Sequence, residues 1–439
     1  MSIVIRLKER ESILQSLRSG VTPKLGLQHI QVGRAKEVEA LCRDVANIAD
    51  GGASFRLVIG EYGSGKTFFL SVVRAVALER KLVTVHADLS PDRRIHSTTG
   101  CAQSLYAELI KNMSTRAMPD GGALASVVER FVSIAHQEAD ERGIQTSQVI
   151  QARMAQLSEM IGGYDFAKVI EQYWLGYERD DEFLKLSALR WLRAEYTTKT
   201  EAKDALGVRS IINDASFFDA LKLMSTFVRL AGYDGLMVGL DELVNLYKLN
   251  NKVARTSNYE QILRMLNDCL QGSASHLGFV LGGTPDFLAD PKKGLYSYEA
   301  LRSRLADNEF AKKAGVVDYD SPVIMLKNLS PEELFVLLGN LRHVYAMGDE
   351  SKYLVDNEAL YAFLQHCNKT IGSAYFQTPR NTIKAFIDFL SVLDQHQHLN
   401  WQDLIADTKI SPDNPSDFID DNDSDDDGDD KSEMATFSL

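Results

Sequence analysis

A glycine-rich loop of eight residues, Gly60 to Thr67, constrains the fold of this chain more than any other feature of its sequence. The loop reads Gly-Glu-Tyr-Gly-Ser-Gly-Lys-Thr, follows an apolar run at 55–60 and precedes a helical pattern that begins at Lys66. A buried strand, a glycine turn and a helix N-terminus in this order form a cradle for phosphate, because glycines allow successive N–H groups to face one anion. The sequence therefore predicts a nucleotide-phosphate site on an α/β fold.

Each position of this loop has a predicted role in binding a nucleoside triphosphate. The ammonium of Lys66 would neutralise the β- and γ-phosphates, and the hydroxyl of Thr67 would be a ligand of Mg²⁺. The helix that begins at Lys66 would add its positive N-terminal end. The residues predicted to bind the nucleotide here are Gly60, Glu61, Tyr62, Gly63, Ser64, Gly65, Lys66, Thr67 and Phe68.

A pair of acids follows another apolar run. Residues 236–242 read Leu-Met-Val-Gly-Leu-Asp-Glu, so a buried strand would bring Asp241 to the edge of the sheet. There Asp241 would complete the Mg²⁺ site with Thr67, and Glu242 would polarise an attacking water. The second carboxylate favours hydrolysis over binding alone, because it can accept a proton from water. The pair therefore predicts an enzyme that hydrolyses the nucleotide.

Four further side chains are candidates for the same site. Thr284 follows an apolar strand pattern and is predicted to sense the γ-phosphate or water, although it could also be a plain turn residue. Arg302 and Arg304 share a predicted helix. Either could be an arginine finger, which stabilises transition-state charge in the site of a neighbouring subunit, or could be a solvated surface arginine. Arg380 begins a helix, where its charge opposes the helix dipole, so we predict that it contacts a nucleotide phosphate, although it could also be a plain surface charge after Pro379.

The alternation of strand and helix patterns divides the chain into predicted parts. Strand-like runs separated by helical patterns indicate a parallel sheet. The predicted parts are an N-terminal extension at 1–30, an α/β nucleotide-binding core at 31–89 and 232–329, a large helical insertion at 90–231, a C-terminal helical lid at 330–405 and a disordered acidic tail at 406–439.

The negative charge of the chain is concentrated in the predicted tail. The formal net charge is −13, and residues 411–439 contain ten Asp, one Glu and one Lys. Like charge and low apolar content predict that this segment does not fold. The tail would repel DNA, occupy a basic surface of a partner, or serve only to keep the protein in solution.

The remaining composition excludes several classes of protein. The four cysteines are scattered without a Cys-x-x-Cys pair, which excludes a disulfide scaffold and a zinc-finger framework. The histidines form no metal-binding set. No run of 18 apolar residues occurs, so no membrane span is predicted. The first residues lack a secretory pattern, and we expect a cytoplasmic protein.

The segment 185–209 leaves nucleic-acid binding open. Arg190 and Arg193 could contact phosphates while Trp191 stacks on a base. Acidic residues are interleaved with these cations, however, as expected for an amphipathic helix that buries Trp191 and exposes its charges. The sequence allows both interpretations.

Several of these motifs, in their order along the chain, resemble those of the AAA+ ATPases, most closely the origin-recognition-like branch. Val32-Gly33-Arg34 with Glu37 is similar to the segment that surrounds the adenine in that family. The Leu-Ser-Pro-Glu-Glu-Leu sequence at 329–334 resembles the start of the AAA+ helical lid, and Arg380 matches the lid arginine. The resemblance implies a P-loop core with a lid and assigns Gly33 and Arg34 to the nucleotide site. That branch usually carries a C-terminal winged helix, for which this chain has no room, so DNA binding is not implied.

Longer strings resemble the ATP-binding family of BREX phage-defence systems. They include Leu-Ser-Pro-Asp-Arg-Arg at 89–94, Gly-Leu-Asp-Glu-Leu at 239–243 and Leu-Gly-Phe-Val-Leu-Gly-Gly-Thr-Pro-Asp-Phe at 277–287. The resemblance implies ATP and Mg²⁺ as cofactors. We expect an ATPase that acts as motor or switch with other defence proteins and with copies of itself. A non-hydrolysing scaffold and a DNA-loading ATPase are the alternatives.

Overall fold

The computed structural model of the chain describes residues 5–372 and 379–407. The acidic tail from residue 408 onward lies outside the described residues, so its disorder stays a prediction. The division of the chain into the parts given above also stays a prediction, although the elements within them can be compared directly with the structure.

The described residues contain a five-stranded sheet in which every pair of neighbouring strands is parallel. The strands are β1 Ala53–Gly60, β2 Val83–Asp88, β3 Leu236–Asp241, β4 Leu277–Gly283 and β5 Val323–Leu326, in the spatial order β2-β3-β4-β1-β5. The α/β fold with a parallel sheet is thus confirmed, and β1 and β3 agree with the apolar runs at 55–60 and 236–242 to within two residues. The shortest strand, β5, has four residues and ends before the polar residues Lys327 and Asn328.

Helices cover both faces of the sheet and fill the long segment between β2 and β3. The helices before β3 are α1 Leu7–Arg18, α2 Leu27–Ile30, α3 Ala35–Ala49, α4 Lys66–Glu79, α5 Cys101–Lys111, α6 Leu124–Arg142, α7 Thr146–Ser158, α8 Gly163–Glu178, α9 Glu182–Leu192, α10 Lys199–Leu206 and α11 Phe217–Leu230. Those after β3 are α12 Val244–Tyr247, α13 Lys252–Gln271, α14 Pro285–Ala289, α15 Glu299–Arg304, α16 Glu309–Ala314, α17 Pro331–Tyr345, α18 Asn357–Ile371, α19 Arg380–Gln395 and α20 Trp401–Asp407.

The helical insertion, α5 to α11, shares one hydrophobic core with the sheet. A single cluster of buried side chains runs from the strands into these helices. At one junction the ring of Phe218 in α11 lies 6.0 Å from the ring of Phe279 in β4. A smaller cluster fills the opposite face of the sheet, where Leu41 and Val45 of α3 pack with Phe69 of α4. Strands buried on both faces explain the continuous apolar runs in the sequence.

The structure favours the interpretation of segment 185–209 in which Trp191 is buried, although the segment forms the end of α9, a connection and α10 instead of one helix. Trp191 is 3% exposed, and its indole Nε1 donates to the carbonyl of Ser210 at 2.9 Å. Arg190 forms an ion pair with Glu201 at 3.0 Å and lies over the ring of Tyr196. Because the tryptophan is buried and this arginine is paired, stacking of Trp191 on a base is not available in this structure.

A second core joins the N-terminal segment to the C-terminal helices. Ile5, Ile13 of α1 and Ile30 of α2 belong to the same buried cluster as the apolar faces of α17, α18 and α19. Arg10 of α1 donates to the carbonyl of Tyr345 at 2.9 Å. Residues 5–30 therefore pack as part of the C-terminal helical unit, a contact between distant parts of the chain that no local pattern indicates.

We predict that Ile13→Ala lowers the free energy of unfolding by about 2–5 kcal/mol, because the side chain is fully buried and its removal leaves a cavity. Leu7→Ala on the same helix is the control, since Leu7 is 63% exposed and should change stability little. Urea denaturation monitored by circular dichroism measures both. Equal effects of the two substitutions would contradict the packing of α1 on the C-terminal helices.

Candidate nucleotide site

The glycine-rich loop joins the end of β1 to the start of α4. Gly63 has φ +80 and Gly65 has φ +83, in the left-handed region that favours glycine. Gly65 is the N-cap of α4 and offers no side chain to cap the helix. The N–H groups of Lys66, Thr67 and Phe68 consequently have no hydrogen-bond acceptor among the described residues. Free donors at a helix N-terminus are suited to bind an anion.

Two side chains of the loop complete this cradle. The hydroxyl of Ser64 is buried and has no partner within the part of the chain that the structure describes. The ammonium of Lys66 donates to the carbonyls of Gly60 at 2.8 Å and Glu61 at 2.9 Å. Burial lowers the pKa of Lys66, an effect that the nearby carboxylates, Asp241 first, oppose. An incoming phosphate would offer this ammonium a stronger partner than a neutral carbonyl.

Thr67 and Asp241, the two predicted Mg²⁺ ligands, are in direct contact. The hydroxyl of Thr67 donates to Oδ2 of Asp241 at 2.8 Å, and the N–H of Glu242 donates to Oδ1 at 2.9 Å. Asp241 is 5% exposed. A hydroxyl and a carboxylate are hard oxygen ligands, and Mg²⁺ usually takes few protein ligands and completes its shell with phosphate and water. These residues therefore fit a magnesium ion delivered with the nucleotide.

Glu242 occupies a strained position at the end of β3. Its φ is +58, which is uncommon for a residue with a β-carbon and often marks a functional site. Although the side chain opens to the cavity, loss of hydration raises the pKa of Glu242, and the charge of Asp241 raises it further. Lys66 opposes this shift. A carboxyl with a raised pKa is a better proton acceptor for general-base catalysis.

Asp88 is a third acid at this edge, and sequence reasoning did not identify it. It is the last residue of β2 and lies opposite Asp241 in the parallel register of β2 and β3. Although the side chain of Asp88 is exposed at the edge of the sheet, partial loss of hydration raises its pKa, and the charge of Asp241 raises it further. An acid at the end of a predicted strand was the available signal, but the sequence alone does not show that β2 and β3 are neighbours.

Thr284 lies at the end of β4, which runs between β3 and β1. Its side chain is buried, and its hydroxyl oxygen accepts from the N–H of Phe287 at 3.3 Å, which caps α14. The turn role that the sequence allowed is therefore observed. A role in sensing phosphate stays a prediction, because the hydroxyl proton is still available to another acceptor.

The two candidate finger arginines differ in their surroundings, although both are exposed on α15. The guanidinium of Arg304 donates to Oδ1 of Asn267 at 2.7 Å and to the carbonyl of Ala300 at 2.9 Å. The side chain of Arg302 makes no hydrogen bond or ion pair to any residue in 5–372 or 379–407. Neither arginine lines the cavity beside the glycine-rich loop of its own chain.

A cavity of about 380 Å³ extends from the glycine-rich loop, a volume in the range of small-molecule sites. Its lining includes Glu242, the loop, and apolar side chains from α1, α3 and the C-terminal helices. The apolar lining residues include Leu17, Val21, Ile30, Val32, Val38, Phe68, Phe69, Val72, Leu329, Leu337 and Ile383. Arg380, at the start of α19, also lines the cavity. The lining therefore combines the polar glycine-rich loop with apolar side chains, as the phosphates and the base of a nucleotide would require.

Gly33 and Arg34 lie where the cavity meets the C-terminal helices. The guanidinium of Arg34 lines the cavity and donates to the carbonyls of Ser64 and Lys327. Burial lowers the pKa of Arg34. Gly33 is in contact with the helix α17, since a β-carbon at this position would collide with the carboxylate of Glu333. Arg34 thus connects the loop with the segment after β5.

A parallel sheet whose strand β1 leads through a glycine-rich loop into the N-terminus of α4 defines a P-loop nucleotide-binding protein. The sequence profile of the BREX system ATP-binding protein family BrxC/D matches residues 5–409, and the chain belongs to this family. The predicted membership of a BREX ATP-binding family is thus confirmed. No curated protein matches the chain. Among the described residues, no helix is both long and apolar enough to cross a membrane.

We predict that Asp88→Asn raises the melting temperature of the nucleotide-free protein near neutral pH. Because the pKa of folded Asp88 is raised, its ionisation disfavours the folded state, and the amide removes this cost. The increase in melting temperature should be largest above the raised pKa of Asp88 and should disappear as the pH falls toward 3.8, the ordinary pKa of an aspartate. Thermal melts in EDTA across pH measure it, with Asp92→Asn in the exposed turn after β2 as control. A pH-independent difference would contradict the electrostatic explanation.

Proposed function

We propose that this protein is an ATPase of the AAA+ type that acts as motor or switch in a BREX defence complex. The observation that supports this most directly is the 2.8 Å contact between Thr67 and Asp241 with Glu242 beside it. Two candidate Mg²⁺ ligands and a candidate general base would then lie together beside the glycine-rich loop. A site that only binds nucleotide does not need the second carboxylate.

In the proposed reaction, the loop N–H groups and Lys66 bind the phosphates of ATP. Mg²⁺ held by Thr67 and Asp241 would neutralise charge on the β- and γ-phosphates. The carboxylate of Glu242 orients a water and accepts its proton as the water oxygen bonds to the γ-phosphorus. The bond from the γ-phosphorus to the bridging oxygen breaks, and ADP leaves with the electron pair.

The proposed roles of the other residues follow from their places around the cavity. The adenine of ATP would lie among the apolar side chains of the cavity, with Arg34 beside the loop. Arg380, at the start of α19, would contact a phosphate. Thr284 would donate its hydroxyl proton to the γ-phosphate or the water. The helices α17 to α20 would then serve as the lid, so ATP would bridge the lid and the sheet.

We expect Glu242→Gln to keep ATP affinity but to lower turnover by about 10²–10⁴-fold, the usual effect of a lost general base. Lys66→Ala should lose ATP binding, because the phosphates lose their cation. Calorimetry and phosphate release separate the two effects, and Glu260→Gln on the exposed face of α13 is the charge-matched control. If Glu242→Gln retained wild-type turnover, Glu242 would not be the general base. If the wild type released no phosphate alone, with DNA or with the other defence proteins, the protein would instead be a scaffold that binds ATP.

We also propose that the protein hydrolyses ATP as a homo-oligomer in which Arg302 reaches the site of a neighbouring subunit. Arg302 is favoured over Arg304 because Arg304 is already bonded to Asn267. A positively charged finger stabilises charge in the transition state.

The expected result for Arg302→Ala is a loss of about 10³-fold or more in turnover. A mixture of Arg302→Ala and Glu242→Gln proteins should be more active than either alone, because one partner supplies Glu242 and the other supplies Arg302. Phosphate release measured across mixing ratios tests this. The comparison is a mixture of Arg304→Ala and Glu242→Gln proteins. Activity equal to the sum of the separate proteins at every ratio would rule out the shared site.

A further inference from the structure

The turn that ends α1 brings the backbone of Gly20 against the side chain of Arg380. The N–H of Gly20 donates to the carbonyl of Leu17 at 3.1 Å, and that of Val21 donates to Ser16 at 2.9 Å. Gly20 has φ +71, as is usual where a helix ends in this way. A β-carbon added to Gly20 would lie 3.1 Å from Cδ and 3.3 Å from Nε of Arg380. Both distances are shorter than ordinary van der Waals contact.

The helix α1 is held firmly on the helix that carries Arg380. Arg18, in the last turn of α1, forms an ion pair with Asp388 of α19 at 2.6 Å. Ile13 is buried in the cluster that includes Phe386 of α19. These contacts fix the end of α1, and therefore the position of Gly20, relative to α19.

The same turn faces the nucleotide cavity. Residues 20–23 line the cavity together with Arg380 and the glycine-rich loop. The backbone of Gly20 thus lies against Arg380 at the wall of the cavity. A side chain at position 20 would push the guanidinium away from its present place.

We propose that Gly20 is a positioning residue, which holds Arg380 in the orientation that contacts a phosphate of ATP. The inference rests on the proposed function, in which Arg380 binds the nucleotide. The competing explanation is that glycine is needed only to end α1. A helix that ends in this way places one residue at a positive φ, and glycine is favoured there whatever side chains lie nearby.

A second glycine in the chain separates these explanations. Gly143 ends α6 with φ +64, and the N–H of Ile144 donates to the carbonyl of Ala139 at 3.1 Å, as Val21 does to Ser16. No atom lies within 4 Å of a β-carbon added at Gly143. Gly143→Ala therefore carries the backbone cost of Gly20→Ala without a contact to an arginine.

The first experiment needs no nucleotide. Melting temperatures are measured for Gly20→Ala, Gly143→Ala, Arg380→Ala and the Gly20→Ala/Arg380→Ala double variant. We expect Gly20→Ala to lower the melting temperature more than Gly143→Ala does, and the excess to disappear when Arg380 is absent. An excess that persists without Arg380, or no excess at all, would overturn the steric contact.

The second experiment measures the dissociation constant of a fluorescent ATP analogue. We expect Gly20→Ala to weaken binding about tenfold, the effect of one lost charge-assisted hydrogen bond, and Gly143→Ala to leave it unchanged. In the Arg380→Ala background, Gly20→Ala should cause no further loss. If the Gly20→Ala protein does not fold, Gly20→Asn replaces it, because asparagine tolerates a positive φ but still has a β-carbon.

The outcomes separate this inference from the proposed function. If the wild type does not bind the analogue, the proposed function fails and the inference fails with it. If the wild type binds and Gly20→Ala binds equally well, the inference alone fails. The same conclusion follows if Gly20→Ala weakens binding equally with and without Arg380.

Discussion

The contact between Thr67 and Asp241 is the interaction on which the rest of the candidate site depends. It joins residues 174 positions apart, across a sheet in which β4 separates β1 from β3. The carboxylate can lie there because Gly282 of β4 has no side chain, and a β-carbon at that position would collide with Oδ1 of Asp241. The geometry of the site thus requires a glycine in a neighbouring strand as well as the glycines of the loop.

The features that the sequence predicted correctly are those encoded by short stretches of chain. Continuous apolar runs predicted the strands, because strands of a parallel sheet are buried on both faces. Glycines followed by Lys66 predicted the loop and the start of α4. Asp88 and Gly20 could not be found in this way, because each acquires its importance from a partner far along the chain, Asp241 in one case and Arg380 in the other.

The remaining assignments depend on interactions that a single chain does not contain. Thr284 is buried and caps α14, so only a bound phosphate could show whether its hydroxyl also donates. Arg302 does not line the cavity of its own chain, and its proposed role requires a second subunit. The nucleotide would similarly decide how closely the C-terminal helices approach the sheet, since Arg34 and Arg380 border the cavity from different elements.

The shared core of the sheet and the helical insertion limits how the protein can change shape. Because Phe218 and Phe279 lie in one continuous cluster, α5 to α11 cannot rotate away from the strands without exposing that cluster to water. A rearrangement at the phosphate end of the sheet would instead reach the outer surface of the insertion as small, concerted shifts of close-packed helices. A protein bound to that surface would then respond to the proposed hydrolysis cycle through a change in surface shape, and no large rotation of a domain would be needed.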